Sequence, residues 1–376
     1  MHNQRLDSAE RARYNRQLQM PNFGETEQLK IRAAKVLVIG AGGLGVPILQ
    51  YLAGAGVGTI GIVDFDRIEL SNLHRQVFYK ESEVGQSKAA TAKLRVEEQN
   101  SGVDCRAYQT YLDPEQALAI FPEYDIVVDA TDNFPTRYLV NDACYLLGKP
   151  LVYGAIYRFE GQVAVFNQLV GEERSTNYRD LFPLPPAVDL VPNCNEAGVL
   201  GILPGIIGTL QASEVLKLIT GLGDPLVDQL FTLDVLNYDN FRLKIRKHPD
   251  NPLRADFGRE QLSVESQLCQ LHPAAGKPAS INYEELVAEQ QNNPQLQLID
   301  VRDLKEHLAH NIGGVCIPLS QISLRVAEID PSRPAVLYCQ SGRRSSEAIR
   351  LLQQEFGFTE LRNLEGGVLA VGEDIR

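Results

Sequence analysis

The apolar positions of the chain switch between two periods. Over the first two-thirds, short β-branched runs at residues 36–39, 59–63, 125–129, 151–153 and 161–166 alternate with helix-patterned segments such as 44–55 and 88–99. Runs of that length, separated by amphipathic stretches, read as strands between helices. The expected fold class is α/β: a Rossmann-like, doubly wound, mainly parallel sheet with helices on its faces. The pattern stops at 175–192, where Pro183, Pro185, Pro186 and Pro192 predict a long loop, a feature that in compact domains is often functional. Residues 201–221 read as a long helix or helix pair. Residues 248–278, rich in Pro, Asp, Asn and Gln, read as a linker. A new α/β pattern begins after them, with strands at 297–300 and 335–338 and a helix at 345–355. The expected division is 1–247, a linker 248–278, and a small α/β domain 279–376.

Composition narrows the class. The chain has 376 residues, 44% of them apolar, enough for two or three domains with large cores. Its 36 Lys and Arg against 48 Asp and Glu give a net charge of −12. Sequence-blind nucleic-acid binding draws on Lys and Arg against phosphates, so it is not expected. No apolar run is long enough for a membrane-spanning helix. The polar N-terminus lacks the core of a signal peptide, so the cytoplasm is the expected compartment. The cysteines are scattered (Cys105, Cys144, Cys194, Cys269, Cys316, Cys339), with no pair spaced as a zinc knuckle or redox motif.

Between the first strand and the first helix, Gly40, Gly42 and Gly45 satisfy G-x-G-x-x-G. Glycines there allow a tight turn and close backbone approach to phosphates at a helix N-terminus. Asp64 lies about 20 residues on, at the end of the next strand, where an acidic side chain holds ribose hydroxyls. These features alone fit a NAD-binding fold as well as an ATP site. The residues downstream of Asp64 favour a triphosphate. Asp64-Phe-Asp66 leads into the run from Ser71 to Gln76, then Lys88, so Arg75 and Lys88 bring two cations toward the phosphates. A departing pyrophosphate needs fixed positive charge, which a dinucleotide does not. Asp132 and Asn133 lie at the carboxyl end of a later strand, the edge where open α/β sheets bind ligands, and a carboxylate there suits Mg2+. Each residue has a plain alternative: Arg75 and Lys88 as surface charges, Asn72 in a turn, Asp132-Asn133 as a helix cap.

Taken in order, Arg13-Tyr-Asn-Arg16-Gln, Gly40 to Gly45, Asp64 to Asp66, Ser71 to Gln76, Gly85 to Lys88 and Thr131 to Asn133 resemble the MoeB/ThiF/HesA adenylyltransferases of the ubiquitin-activating superfamily. The match covers roughly residues 11–247. The resemblance implies that Gly43, Asp64, Ser71, Asn72, Leu73, His74, Arg75, Lys88, Asp132 and Asn133 contact ATP and Mg2+, with Asp132 on the metal. His74 reads as loop scaffold and not as a base. It also implies a homodimer in which Arg16 reaches the partner subunit's nucleotide. The implied chemistry is adenylation of the C-terminal Gly-Gly carboxylate of a ubiquitin-like sulfur-carrier protein. No base is needed, because a carboxylate is ionised at neutral pH.

Cys194 comes after the proline-rich loop. In isolation it reads as a small hydrophobe; the resemblance implies a catalytic role, because relatives with an added rhodanese domain carry a cysteine in this context. Many family members bind a structural zinc through two Cys-x-x-Cys pairs. Here residues 176–180 stand in the first pair's place, and 247–257 contain no cysteine, so no zinc is expected and the anchoring of the loop is left open.

The second constellation is Cys339-Gln340-Ser341-Gly342-Arg343-Arg344, joining an apolar strand to a helix. Converging N–H dipoles and positive charge favour a thiolate and would stabilise a persulfide anion. A cysteine phosphatase loop is the nearest alternative, but it needs one more residue between Cys and Arg. The surroundings, 298–302, Glu306-His307, 310–319 and 363–367, resemble the rhodanese family over about 279–376, which implies that Cys339 carries a persulfide. The tryptophan common after the final Gly-Gly is absent. Together the two domains read as one pathway that makes a carrier thiocarboxylate, with cysteine desulfurase or thiosulfate as sulfur donor and the molybdopterin-synthase small subunit foremost among carriers. Thiamin, cysteine-synthesis and tRNA-thiolation carriers also fit. A NAD-dependent oxidoreductase, a rhodanese with an idle nucleotide domain, and a non-catalytic scaffold are the readings from other classes.

Overall fold

The computed structural model describes residues 5–185, 198–253, 257–262 and 279–371. Its chain divides into two units, residues 1–270 and 271–376.

The first unit is built on β1 (Lys35–Ile39), β2 (Thr59–Val63), β3 (Asp104–Tyr108), β4 (Ile126–Asp129), β5 (Leu151–Tyr157), β6 (Glu160–Phe166), a small hairpin of β7 (Leu169–Val170) and β8 (Glu173–Arg174), β9 (Gln229–Asp234) and β10 (Asn240–Lys244). Eight of these form one sheet in the order β10-β9-β6-β5-β4-β1-β2-β3. The stretch β3-β2-β1-β4-β5 is parallel, and β6, β9 and β10 extend it antiparallel. The sequence dictates this through burial on both faces. Val36 and Val38 enter one apolar cluster with the helices Gly45–Ala55, Lys88–Gln99 and Leu203–Thr220. Leu37 and Ile39 enter the opposite cluster with the helices Pro114–Ile120 and Phe134–Leu147. Successive strand residues point to opposite faces, so a continuous apolar run must be covered on both, as parallel sheets are. The doubly wound expectation holds. The segment expected as a helix or helix pair after residue 200 is one helix, Leu203–Thr220.

Residues 175–185 differ from the loop expectation. Asn177 caps a short helix, Tyr178–Leu181, and residues 175–180 are all buried. The stretch read as a linker begins with residues folded onto this unit: Leu253 and Leu262 are buried, and Leu262 joins the second apolar cluster.

The second unit has a five-stranded parallel sheet, β11 (Ser280–Ile281), β12 (Gln297–Asp300), β13 (Val315–Cys316), β14 (Ala335–Tyr338) and β15 (Leu361–Leu364), in the order β11-β15-β14-β12-β13. The helix Arg343–Phe356 lies against β14 and β15. Among the described residues, no helix is long and apolar enough to cross a membrane.

Candidate functional site

Parallel strands deliver their C-terminal ends to one edge, and in the first unit β1, β2 and β4 bring three sequence motifs there. Gly40 follows β1 with φ +98°. A Cβ on it would lie 2.7 Å from the Ala130 carbonyl oxygen, and one on Gly45 would lie 2.0 Å from the Gly40 carbonyl. Only glycine fits either place, and the loop between them stays close against the strand ends. A Cβ at Gly43 would meet Pro204 at 3.1 Å and Arg75 Cγ at 3.5 Å, so the Arg75 stem lies beside the middle of the loop. Arg75 donates to Asn72 Oδ1 at 3.0 Å and to the Ser71 carbonyl at 3.2 Å. Asn72 is buried, Leu73 packs on the first apolar cluster, and His74 Nδ1 lies 3.0 Å from the Ser71 carbonyl. A Cβ at Gly201 would lie 2.6 Å from the His74 carbonyl, a packing position.

Asp64 spans the gap between loops. Its Oδ2 accepts from Ala41 N at 2.7 Å and its Oδ1 from Asp66 N at 2.8 Å. Burial pushes its carboxyl above the usual range, against the pull of the Ala41 N–H and Lys88. Lys88, the first residue of its helix, is buried and donates to Asp66 Oδ2 at 2.9 Å. On the far side of β1, Asn133 Oδ1 accepts from Thr136 N at 3.0 Å and so caps the helix Phe134–Leu147, as the plain alternative held. Asp132 is exposed and has no hydrogen-bond or ion-pair partner among the described residues. The same is true of Arg16, on the helix Asn15–Leu18. One free carboxylate beside a phosphate-sized loop fits Mg2+, which takes one or two carboxylates and completes its shell with water and phosphate oxygens.

Three residues at this edge escaped the sequence reading. Tyr79 donates to the Ala41 carbonyl at 2.7 Å and tethers the glycine loop from behind. Asp129, at the end of β4, accepts from Thr131 N and Thr131 Oγ1 at 2.9 and 2.6 Å. It faces Arg137 Nε at 3.5 Å, both side chains being buried. Arg137 also donates to the Thr131 carbonyl at 3.0 Å, so the pair grips the turn that presents Asp132. Burial pushes the Asp129 carboxyl up, and Arg137 and Thr131 pull it back. A charged side chain on the inner face of an apolar helix was the available signal for Arg137.

Cys194 lies outside the described residues; the chain leading toward it is described as far as residue 185. Arg179, fully buried, donates through Nε and Nη2 to both oxygens of Asp142, at 2.9 and 2.6 Å, and through Nη1 to the Pro183 carbonyl at 3.1 Å. Tyr138 donates to the Phe182 and Leu184 carbonyls. Asn251 donates to Asn177 Oδ1 at 3.2 Å and Asp180 Oδ1 at 2.8 Å, and His248 N donates to Asp180 Oδ1 at 2.8 Å. A polar network thus joins 177–180 to 248–251. Among the described residues, no group of three or more His, Cys, Asp or Glu side chains is placed to share a metal ion.

In the second unit β14 ends at Tyr338, Cys339 comes next, and the helix Arg343–Phe356 starts four residues on. Gly342 takes φ +86° and Gly367 φ +59°. A Cβ on Gly367 would lie 2.3 Å from the Cys339 carbonyl. Val368 N donates to that carbonyl at 2.8 Å, and Leu369 N to the Gln340 carbonyl at 3.1 Å. Cys339 is buried, and Ser345 Oγ lies 3.4 Å from its sulfur. Arg302 clamps Asp300 through paired contacts and donates to the His310 carbonyl at 2.6 Å and Gln340 Oε1 at 3.3 Å. Burial raises the Asp300 carboxyl, but Arg302 and His307 outweigh it and hold it below the usual range. Arg344 is committed to Glu306, at 2.7 and 2.8 Å, and holds that carboxyl low. Ser341 is exposed at the loop tip. The Arg343 side chain lies outside the described residues. Cys105 and Cys144 are buried, and burial pushes their thiols up, that of Cys105 to about 12.

Residues 14–253 match the ThiF family and residues 283–374 the rhodanese-like domain. A Mycobacterium tuberculosis protein named "Probable adenylyltransferase/sulfurtransferase MoeZ" is 43% identical over 97% of this chain and 93% of its own length. The sulfur carrier protein adenylyltransferase of Thermus thermophilus is 51% identical over 65% of this chain and 90% of its own. Among solved structures, Escherichia coli MccB with ATP has a TM-score of 0.55 at 22% identity, covering 65% of this chain and 73% of that one, a likeness of fold. The chain belongs to the ThiF family and carries a C-terminal rhodanese-like domain, the composition of the adenylyltransferase/sulfurtransferases.

Proposed function

We propose that the chain adenylates the C-terminal Gly-Gly carboxylate of a ubiquitin-like sulfur-carrier protein, the molybdopterin-synthase small subunit foremost, and then converts it to a thiocarboxylate. The observation that carries this reading is the gathering of Arg75, Lys88, Asp64 and Asp132 around the Gly40–Gly45 loop at one sheet edge. The loop N–H groups and the helix start at Gly45 receive phosphate oxygens. Asp64 holds the ribose. Arg75 and Lys88 stabilise the charge that develops on the departing pyrophosphate. Asp132 would hold Mg2+, which would supply further positive charge to the phosphates. The carrier's carboxylate oxygen attacks the α-phosphorus, pyrophosphate leaves, and an acyl-adenylate remains.

Other residues complete the pathway. Arg16 reaches the partner subunit's nucleotide in a homodimer. Residues 1–247 form the adenylating part, 248–278 the connection and 279–376 the sulfur-donating part. Cys339, loaded by a cysteine desulfurase or thiosulfate, carries a persulfide whose terminal sulfur attacks the acyl carbonyl and displaces AMP to give an acyl disulfide. A reducing thiol then attacks the Cys339 sulfur, the S–S bond breaks, the thiocarboxylate leaves, and a disulfide remains on Cys339 for a second thiol to reduce. Cys194 holds the acyl group or assists release of the thiocarboxylate. The work is cytoplasmic. The Thermus relative, named for a sulfur carrier protein, supports the choice of substrate class. Purified enzyme mixed with ATP, Mg2+, thiosulfate, a thiol reductant and each candidate carrier in turn, with the intact mass of the carrier as readout, is the test. A thiocarboxylate on one carrier is expected. Tight NAD binding with no ATP use would overturn the reading.

A further inference from the structure

The hydroxyl in contact with the Cys339 sulfur has two claims on a single proton. Ser345 Oγ lies 2.6 Å from Asn363 Oδ1 and 3.4 Å from Cys339 Sγ. Ser345 is 0% exposed, Cys339 1% and Asn363 8%, so water does not arbitrate between them. Backbones fix all three. Ser345 sits in the first turn of the helix Arg343–Phe356, Cys339 follows β14, and Asn363 on β15 pairs with Leu337 while its N–H donates to the Ala279 carbonyl. The Asn363 amide nitrogen faces the Gly342 turn, 3.2 Å from where a Cβ would stand there, which leaves its oxygen toward Ser345.

A hydroxyl carries one proton and two lone pairs, and an amide oxygen only accepts. At 2.6 Å the proton lies between Ser345 and Asn363, so the serine turns its lone pairs to the sulfur. That arrangement suits a thiol, whose S–H can donate to Ser345 Oγ. A thiolate reverses it: the serine proton must swing to the sulfur, and Asn363 loses its partner.

We infer that Ser345 is a two-position hydroxyl shared between Asn363 and Cys339, and that Asn363 is a positioning residue which restrains the nucleophilicity of the unloaded cysteine. The restraint lifts when charge appears on the sulfur. The unloaded site is thereby kept from indiscriminate alkylation and oxidation, while the hydroxyl remains available once the thiolate is needed.

The inference rests on Cys339 as the sulfur carrier. Persulfide formation on wild-type Cys339 from thiosulfate tests that reading by itself, whereas the reactivity of the unloaded thiol tests the hydroxyl. The full-length chain is treated with iodoacetamide at neutral pH, and modification of the Cys339 peptide is monitored by mass spectrometry. Thiolate ultraviolet absorbance is read against Cys339→Ala. Asn363→Ala should speed alkylation roughly two- to tenfold, the worth of one hydrogen bond, and raise the thiolate absorbance. Asn363→Asp, of the same size but a stronger acceptor, should slow it. In a Ser345→Ala background Asn363→Ala should not matter, and the slowing by Asn363→Asp should shrink to what its charge exerts on the sulfur directly. An unchanged or slower rate in Asn363→Ala, a faster one in Asn363→Asp, or equal effects without Ser345 would overturn the inference. Should Asn363→Ala fail to fold, the Asn363→Asp effect measured with and without Ser345 decides: slowing that is equal in the two backgrounds overturns the inference.

Discussion

The two sheet edges that carry chemistry are satisfied to different degrees. At the nucleotide edge, Asp132 stands exposed and unpartnered among the described residues, Lys88 is held by Asp66, and burial pushes Asp64 and Asp129 up. At the sulfur edge, charges among the described side chains pair with one another: Arg302 with Asp300, His307 with Asp300, Arg344 with Glu306. A site that receives its ligand from solution can leave a charge such as that of Asp132 uncommitted until the ligand arrives. A site whose reactive atom belongs to the chain can complete its network in advance, because nothing charged must be displaced to use it.

The largest expected effects split the edges cleanly. Asp132→Ala should cut carrier-dependent ATP–pyrophosphate exchange by roughly a hundredfold or more, yet leave persulfide formation at Cys339 intact. Cys339→Ala should abolish sulfur transfer and spare the exchange. Loss of both activities in either variant would mean that the edges are not separate machines.

Next in size is a structural break confined to the first unit. Arg179→Met leaves Asp142 buried without its paired donor, and breaking a buried pair costs about 3–5 kcal/mol. Denaturant unfolding read by hydrogen exchange should show lost protection in peptides of the first unit and unchanged protection in 279–371.

Acid should sharpen the contrast with a smaller effect. Glu306 is held below its ordinary value of 4.5 by Arg344, so its stabilisation is present above that value and is lost as pH falls through the lower folded value. Asp129 is raised above its ordinary 3.8, so the penalty it carries when ionised is relieved on acidification. The destabilisation caused by Glu306→Gln should therefore shrink below about pH 4.5, while that of Asp129→Asn should grow. Thermal unfolding of both variants against wild type across pH checks the opposite slopes. The smallest effect is expected at the exposed group of Arg106 with Asp104 and Glu123. Arg106→Ala should change stability by about 0.5 kcal/mol or less, as chemical unfolding would show.

Much of this was legible in the sequence, for reasons that particular residues make plain. Val36 to Ile39 is apolar at every position, which a half-exposed strand cannot tolerate, so the parallel sheet and the glycine turn after it came together. Gly40 and Gly45 read correctly because no other side chain fits. Asn133 could not be assigned, because cap and ligand use the same amide oxygen, and the structure spends it on Thr136. The anchoring of residues 177–185 was hidden because Arg179 finds Asp142 across 37 positions and Asn251 finds Asp180 across 71. Nothing local announces either. The expectation of a loop from residue 175, made on the prolines that begin at Pro183, hid the buried turn and short helix just before them. Arg344 was read as free positive charge, and its partner Glu306, from another helix, takes up much of that charge.

The backing of the Cys339 loop has one more implication. Its path is set by main chain against main chain: two carbonyls receive N–H groups from Val368 and Leu369, and Gly367 leaves no room for a side chain between the strands of contact. The outward residue Ser341 contributes nothing to that backing. Mould and ornament are thus separable, so substitutions at the loop tip can change what the loop presents to solvent without redrawing the cradle itself.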